Sequence, residues 1–459
     1  ATAATRVDEN GLVNYAEILG SELAICGDFE CASPLTGWSV NSDGAISIDN
    51  GRLKVLNVTN RGRAYRSYTG LTIGKTYEAF VGNSFGSITG FCHITSGTAN
   101  NNITLNAPFF FVAGATTADF QCGTANPAVG LFTFFDNISL KQNDRDNVPR
   151  IDYTGGGCPH ILAEPQTTNL VTYSSDFSQW IPGGSTIIEG GYLAPDGTNN
   201  AYKVSGSGSA LTLGASLLTT TTRSIYARTT SGTGQANLCS FNSNTNNLFT
   251  ITEQWQRFEV NSAISTGVVN FYAVDFRGGT TLSEIILWGA NATNDQDYAT
   301  SYIPTSGSTV TRNQDIFTRD GIGSLINSTE GVLFLEVAAL TDDTSFRAMS
   351  ISDGTTSNRI TLVYNGGIRV FNVVGGSVSS NINYTTTITT TQKIAILWSS
   401  TSFKLWVNGV ERGVISGVSI ASNTLNKLSL DQGNGGNNMF AKVKQLQVYD
   451  TSLSDEQLL

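Results

Sequence analysis

Hydrophobic and polar positions alternate along this chain in short runs that are typical of β-strands. Residues 403–407 (FKLWV) and 443–449 alternate with a period of two, and residues 394–398 (IAILW) form an apolar run between polar clusters. Helical periodicity is nearly absent. Only Ser454 and Gln457, which have the spacing of a capping box, indicate a short helix near the end of the chain. The pattern predicts many short strands.

Two Asn-Gly pairs mark tight turns between alternating runs. Asn408-Gly409 follows residues 403–407, and Asn365-Gly366 lies between residues 361–364 and 368–371. Asn and Gly together favour a hairpin turn because both central residues take a positive φ. The chain from about residue 325 onward is therefore predicted to be an antiparallel β-sandwich.

A weak internal repeat covers the first two thirds of the chain. The pair Asp28-Phe29 followed by Trp38 matches Asp176-Phe177 followed by Trp180, and further matches occur at nearly the same offset. Such a repeat favours two copies of one β-sandwich module, over residues 24–142 and 170–300. Coincidence among common strand dipeptides is the alternative.

Composition and charge narrow the range of functions. The chain has 459 residues, 40% of them hydrophobic, which is enough to bury several cores. Its 26 basic and 36 acidic residues give a net charge of −10 without a basic run, so neither nucleic acid nor an anionic membrane is an expected partner. No apolar run is long enough to span a bilayer.

Catalytic signatures are missing from the sequence, and we expect no enzymatic activity. There is no GxSxG, HExxH or P-loop motif, and only His93 and His160 are available as histidine bases. Glu336 lies in a predicted strand without the second carboxylate that glycoside hydrolysis needs.

The six cysteines include no CxxC pair, so the sequence predicts neither a zinc ribbon nor a thioredoxin-type motif. Cys92 and Cys122 are candidates for a bridge between neighbouring strands. The alternative is that the cysteines are buried free thiols, which is favoured because six cysteines are few for a chain of 459 residues.

Several connecting segments resemble segments of phage and prophage virion proteins. They are residues 4–13 (ATRVDENGLV), 148–153 (VPRIDY), 162–170 (LAEPQTTNL), 298–307 (YATSYIPTSG) and 310–312 (VTR). In that family only a short stretch of chain usually separates the first segment from the second. Here a long stretch separates them, as though one module had been inserted.

The sandwich units resemble carbohydrate-binding folds. Asp28-Phe29…Trp38 and Asp176-Phe177…Trp180 resemble jelly-roll carbohydrate-binding modules, and residues 406–410 and 443–453 resemble laminin-G/concanavalin-like lectins. The predicted fold is all-β, with three antiparallel β-sandwich domains in tandem. The predicted segments are a connector (1–23), a jelly-roll domain (24–142), a connector (143–169), a second jelly-roll domain (170–312) and a laminin-G/concanavalin-like domain (313–459).

The resemblance implies a structural protein on the surface of a bacteriophage particle, a tail or head fibre that attaches to host surface glycans. It implies multivalent, non-catalytic binding by a homotrimer, with other virion proteins as further partners. The alternatives are a purely structural virion component, a polysaccharide depolymerase and an adhesin derived from a prophage.

Glycan binding calls for aromatic rings beside amide and hydroxyl groups. The candidate platforms are Trp38, Tyr65, Tyr68 and Trp180, and core packing is the alternative for each. No cofactor is expected apart from Ca²⁺, for which the oxygen-rich turn 431–438 offers Asp431 and Asn434 as ligands. Ordinary turn chemistry explains those two residues equally well.

Overall fold

The computed structural model describes residues 3–84, 86–145, 148–213, 220–240, 247–264 and 270–458. Strands dominate this part of the chain, and the sheets are antiparallel, which confirms the predicted all-β sandwich fold. Within the described residues, helices are limited to the 3₁₀ turns Phe177–Gln179 and Gly323–Leu325 and to the C-terminal α1 (Asp455–Leu458). At its start the backbone N–H of Ser454 donates to Gln457 Oε1 at 2.9 Å, as the capping-box spacing predicts.

The chain forms two compact units. The first, which we call the main unit, combines the residues up to Ala16 with those from Pro149 onward. The second, the inserted unit, is Glu17–Val148. The strands β1 (Thr5–Val7) and β2 (Val13–Tyr15) pair with each other and belong to the main unit. The five segment boundaries predicted from the sequence remain a prediction.

The inserted unit contains one sandwich of two sheets. Its strands are β3 (Ile18–Leu19), β4 (Ser39–Val40), β5 (Gly44–Asp49), β6 (Arg52–Asn57), β7 (Arg63–Thr69), β8 (Thr76–Ser84), β9 (Gly90–Ser96), β10 (Ala99–Ile103), β11 (Phe109–Val112), β12 (Thr117–Thr124) and β13 (Phe132–Asp144). One sheet has the order β10-β9-β12-β7-β4. The other has the order β11-β8-β13-β6-β5, and β3 pairs with β13. Tyr77, Phe120 and Phe135 lie in the core between the two sheets.

A second sandwich occupies the middle of the chain. The strands of this region are β14 (Ile151–Asp152), β15 (His160–Ala163), β16 (Thr167–Asn169), β17 (Ile181–Pro182), β18 (Ile187–Tyr192), β19 (Ala201–Ser205), β20 (Ala210–Leu213), β21 (Thr220–Arg228), β22 (Gly234–Ser240), β23 (Leu248–Ile251), β24 (Gln256–Ile264), β25 (Phe271–Asp275), β26 (Glu284–Thr293) and β27 (Val310–Arg312). The two sheets have the orders β17-β20-β25-β22-β23 and β18-β19-β26-β21-β24, and β16 pairs with β27. Phe177, Ile225 and Phe271 are buried between them.

The C-terminal sandwich is built on the largest core. Its strands are β28 (Thr318–Arg319), β29 (Gly331–Ala339), β30 (Arg347–Ser352), β31 (Arg359–Tyr364), β32 (Ile368–Val374), β33 (Ser377–Tyr384), β34 (Gln392–Trp398), β35 (Phe403–Val407), β36 (Val410–Ile415), β37 (Lys427–Ser429) and β38 (Ala441–Tyr449). The sheets have the orders β14-β15-β38-β29-β34-β35-β36 and β28-β37-β30-β31-β32-β33. Leu333, Tyr364 and Trp398 lie between them.

Both predicted Asn-Gly turns close hairpins of this sandwich. Asn408 and Gly409 join β35 to β36 with φ values of 54° and 73°, the left-handed pair that such a turn requires. Asn365 and Gly366 join β31 to β32 in a turn one residue longer, because Gly367 adds to it before Tyr364 pairs with Ile368.

The cysteines pair differently from the candidate bridge. Cys26 and Cys31 form a disulfide, which the sequence analysis did not anticipate. Cys92 and Cys122 lie directly opposite each other on β9 and β12 with their Sγ atoms 2.9 Å apart, and both are free thiols. Burial raises the pKa of the Cys92 thiol well above its usual range.

No helix among the described residues is long and apolar enough to cross a membrane.

Candidate functional site

The outer surface of the sheet β10-β9-β12-β7-β4, which we call the polar face, carries a regular array of polar and aromatic side chains. Residues on a strand alternate between the two faces of a sheet, so Ala64, Cys92 and Cys122 enter the core while their neighbours point outward. Directly paired residues of antiparallel strands lie side by side on the same face. The outward residues therefore form rows that run across the strands.

The central row of the polar face is a line of hydrogen-bonding groups that begins at an aromatic ring. Tyr65 is paired with Gln121, Gln121 with His93, and His93 with Asn102. All four side chains are half-buried or exposed. Four adjacent strands span about 14 Å at the usual strand spacing. This length suits a short oligosaccharide lying across the sheet.

A second row of the polar face places a cation beside an aromatic ring. Arg63 is paired with Gly123, and Gly123 with Phe91. A Cβ at position 123 would lie 2.8 Å from the Phe91 ring, so the glycine makes room for that ring over the sheet. The rings of Phe91 and His93 meet edge to face at 5.1 Å between centroids, which connects this row to the central one.

The third row is polar throughout, with Asp119 paired with Ser67 and Thr95, and Thr95 paired with Asn100. Between the rows lies a hollow of about 310 Å³. Its lining consists of cationic, aromatic, imidazole, hydroxyl and amide side chains: Arg61, Arg63, Phe91, His93, Thr95, Asn100 and Gln121.

Of the four candidate platforms, the structure places only Tyr65 on the polar face. Trp180 is 3% exposed, packs on Phe177 and Phe271, and donates through Nε1 to the carbonyl of Tyr173 at 2.9 Å. The structure thus corrects its proposed role, because a ring enclosed in the core offers no face to a sugar.

Tyr68 and Trp38 also belong with the core. Tyr68 is 4% exposed and packs edge to face against Phe120, and burial raises the pKa of its phenol. Trp38 is half-buried against the same core, with Phe29 at 5.9 Å between ring centroids. Neither residue joins the row that contains Tyr65.

The predicted calcium ligands, Asp431 and Asn434, form hydrogen bonds with the backbone of their own turn. Asp431 is buried, and its Oδ1 accepts from the N–H groups of Gly433 at 2.6 Å and Gly435 at 3.1 Å. Asn434 accepts from Gly436 N at 3.1 Å. These oxygens bond the backbone instead of converging on one point, so the turn-chemistry alternative accounts for them. Among the described residues, no group of three or more His, Cys, Asp or Glu side chains is arranged for a metal.

A second hollow, the junction cleft, lies in the main unit and has a volume of about 280 Å³. Its lining includes Asp152, His160, Glu164 and Glu259. The oxygens of Asp152 accept from the backbone N–H groups of Val7 at 2.9 Å and Thr154 at 2.8 Å. Glu259 faces Arg257 at 3.6 Å. Burial lowers the pKa of His160, which is 5% exposed.

Glu164 is the centre of a buried ionic cluster behind this cleft. Its carboxylate accepts from Arg150 at 2.6 Å and from Arg312, and it also accepts from the N–H and hydroxyl of Ser301 at 2.8 and 2.7 Å. Asp315 bonds the other end of Arg150. Burial alone would raise the pKa of Glu164, but Arg312 and Arg150 outweigh it and hold that pKa well below its usual range.

The two hollows therefore differ in what they can do chemically. The carboxylates of the junction cleft are fixed by backbone amides and arginines, and a carboxylate with so low a pKa cannot donate a proton near neutral pH. The polar face presents rings, amides and cations to solvent. Such groups can stack on a polyhydroxyl molecule and form hydrogen bonds with it.

Sequence reasoning singled out Tyr65 but missed its partners Gln121, His93 and Asn102. The signal was present as strand alternation. In the segments 91–95 and 119–122, polar or aromatic residues alternate with buried ones, whereas in 63–67 only Ala64 is buried and Arg66 is half-buried. What the sequence did not supply was the register that aligns the three segments.

No protein-family model matches the chain, and no curated protein matches it. Solved structures that resemble parts of it include the carbohydrate-binding module CBM40 of a Ruminococcus gnavus sialidase (TM-score 0.26, 14% identity, 31% of this chain and 96% of that one). Others are the CBM22 tandem domain of Paenibacillus barcinonensis Xyn10C (TM-score 0.22, 12% identity, 64% and 100%) and a heptameric SAP-like pentraxin from Limulus polyphemus (TM-score 0.26, 12% identity, 31% and 73%). Likeness at this level carries no information about function.

Proposed function

We propose that this chain is a non-catalytic glycan-binding protein whose ligand lies across the polar face of the inserted unit. The observation that carries the proposal is the central row, in which Tyr65, Gln121, His93 and Asn102 are aligned by strand register. A sugar has apolar C–H faces and a rim of hydroxyl groups. Tyr65 supplies a ring for the faces, and the two amides and the imidazole supply donors and acceptors for the rim.

The site is preformed on a sheet, which favours binding. The strands that hold the row are fixed by a buried core that includes Cys92, Cys122 and Phe120. A rigid site limits the conformational entropy that is lost when a flexible sugar binds. We propose further that the chain is a homotrimer on the surface of a phage particle, where three equal sites turn weak contacts into firm host attachment.

Two features support binding without catalysis. The polar face carries one carboxylate, Asp119, among its strand residues, whereas glycoside hydrolysis uses two that flank the bond. In the junction cleft, the bonds made by Asp152 and Glu164 hold their carboxylates in structural roles. These features favour adhesion over a polysaccharide depolymerase.

We expect Tyr65→Ala to weaken glycan binding up to about tenfold, because it removes the ring beneath the sugar. The measurement applies the purified chain to an array of host-surface polysaccharides and then titrates the glycan that binds best in a calorimeter. Unchanged thermal unfolding of the variant shows that the sandwich remains intact.

Phe110→Ala provides the matched control for Tyr65→Ala. Phe110 is 41% exposed on β11, in the opposite sheet of the same sandwich. Its replacement should leave the glycan affinity unchanged. Equal losses in both variants would argue against the polar face as the site. Absence of binding to every polysaccharide would favour the purely structural alternative, in which the sandwiches contact only other virion proteins.

A further inference from the structure

The hollow of the polar face is lined by cations and neutral groups, although the chain as a whole has a net charge of −10. Arg61 and Arg63 belong to its lining, and no Asp or Glu does. Within the described part of the chain, neither arginine forms an ion pair with an acidic side chain. An acidic protein thus places two guanidinium groups in one hollow without an acidic partner among the described residues.

Most of the donors on these two arginines are unused. Arg61 donates through Nη2 to the carbonyl of Ala125 at 2.9 Å, and the Nε atoms of both arginines are buried without a partner. A guanidinium carries five N–H donors in a planar fork. The Nε atoms are enclosed, so the donors open to a ligand's acceptor oxygens are the Nη atoms, of which only Nη2 of Arg61 has a partner among the described residues.

We propose that the polar face recognises acidic glycans, with Arg61 and Arg63 binding the carboxylate of a uronic-acid-type sugar. This inference rests on the proposed function and names its ligand class. A carboxylate matches the guanidinium fork with two parallel hydrogen bonds, which a neutral hydroxyl cannot supply. The sugar ring that bears the carboxylate then lies toward the central row, beside Tyr65 and His93.

The charges on the polar face also orient the glycan. Asp119 lies on the third row, four residues along the strand from the level of Arg63, which is about 13 Å. That separation is greater than the screening length of about 10 Å at moderate salt, so Asp119 repels an anion at its own end without cancelling the arginines. The acidic sugar is therefore expected at the Arg63 end of the face.

The test compares polygalacturonate and alginate fragments with their carboxyl-reduced forms of equal length, together with an array of acidic and neutral bacterial polysaccharides. The whole chain should bind carboxylated glycans at least tenfold more tightly than the reduced forms, and less tightly as salt rises. Arg63→Gln should remove most of this preference while the chain stays folded. Arg63→Lys keeps the charge without the fork and should retain part of the preference.

Arg52→Gln is the matched control, because Arg52 lies over the Phe134 ring on the opposite sheet of the same sandwich, at 4.1 Å from the ring centroid. The Arg52→Gln variant should bind carboxylated glycans with the same affinity as the unchanged chain. Equal affinity for carboxylated and reduced glycans would overturn the acidic preference but leave glycan binding intact. A preference that survives Arg61→Gln/Arg63→Gln would refute the assignment to these arginines. Failure to bind any glycan would refute the proposed function itself.

Discussion

Replacing Glu164 by alanine is expected to lower the free energy of unfolding of the main unit by about 3–5 kcal/mol. Glu164 is 3% exposed, and Arg150 and Arg312 beside it are buried as well. Removal of the carboxylate leaves two buried guanidinium charges without their shared partner. Desolvation of an uncompensated charge is the largest penalty that a single substitution in this cluster can introduce. Urea unfolding monitored by tryptophan fluorescence measures the change.

The same cluster predicts how stability depends on pH. The pKa of Glu164 in the folded chain lies below its value in the unfolded chain, about 4.3. Its contribution is therefore complete above pH 5 and declines as the pH falls toward the folded pKa. The stability difference between the unchanged chain and Glu164→Gln should be constant from pH 7 to 5 and should narrow below pH 4.

Glu259→Ala is the control for the buried ionic cluster. Glu259 lines the same junction cleft, but it is half exposed and faces only Arg257, so its loss should change stability by less than about 1 kcal/mol. Equal destabilisation by the two substitutions would contradict the central role of Glu164. So would a constant difference between the Gln variant and the unchanged chain down to pH 3.

Removal of the inserted unit is expected to abolish glycan binding while the main unit stays folded. The main-unit residues that flank the excised segment lie beside β1. Ala16 N donates to Ala4 O at 2.9 Å, and the side chain of Arg150 donates to Thr5 O at 3.3 Å. The ends of the inserted unit are likewise adjacent, since β3 pairs with the end of β13. A Gly-Ser linker of six residues, with a reach of about 20 Å, should join Ala16 to Pro149 without strain.

Two measurements check the excision. The shortened chain should keep its cooperative thermal unfolding within a few degrees, and the isolated Glu17–Val148 should fold and bind glycan with the affinity of the whole chain. A shortened chain that still binds glycan would place the site outside the polar face. An aggregated shortened chain together with an unfolded isolated unit would contradict the division into two units.

Local pattern was enough to predict the strands and turns of this fold. The Asn-Gly turn at 408–409 lies where the alternation placed it, with both residues at positive φ. At 365–366 the turn also lies in the predicted place, but only Gly366 of the pair takes a positive φ, because the turn is one residue longer. The local pattern did not predict which residues far apart in the sequence come into contact. Arg150, Glu164 and Arg312 come from three separate short segments, 14 and 148 residues apart, and nothing local shows that they meet.

The contacts among these residues give a structural role to the segments that resemble virion proteins. Residues 148–153, 162–170, 298–307 and 310–312 carried the resemblance, and they supply Arg150, Glu164, Ser301 and Arg312 of the buried ionic cluster. In the structure these segments therefore contribute a buried ionic cluster to the main unit. Three of the four predicted aromatic platforms, Trp38, Tyr68 and Trp180, pack against a core, because an aromatic ring in a strand-rich segment is as useful to a core as to a ligand.

The central claim, that glycans lie across the polar face, is tested most directly by the two histidines. His93 belongs to the central row, and His160 is buried in the main unit and serves as an internal control. The full chain is labelled with ¹⁵N-histidine and titrated with the best-binding glycan. If glycans lie across the polar face, the ring signals of His93 will shift progressively while those of His160 stay in place. A saturating glycan that leaves His93 unmoved, or that shifts only His160, would contradict it.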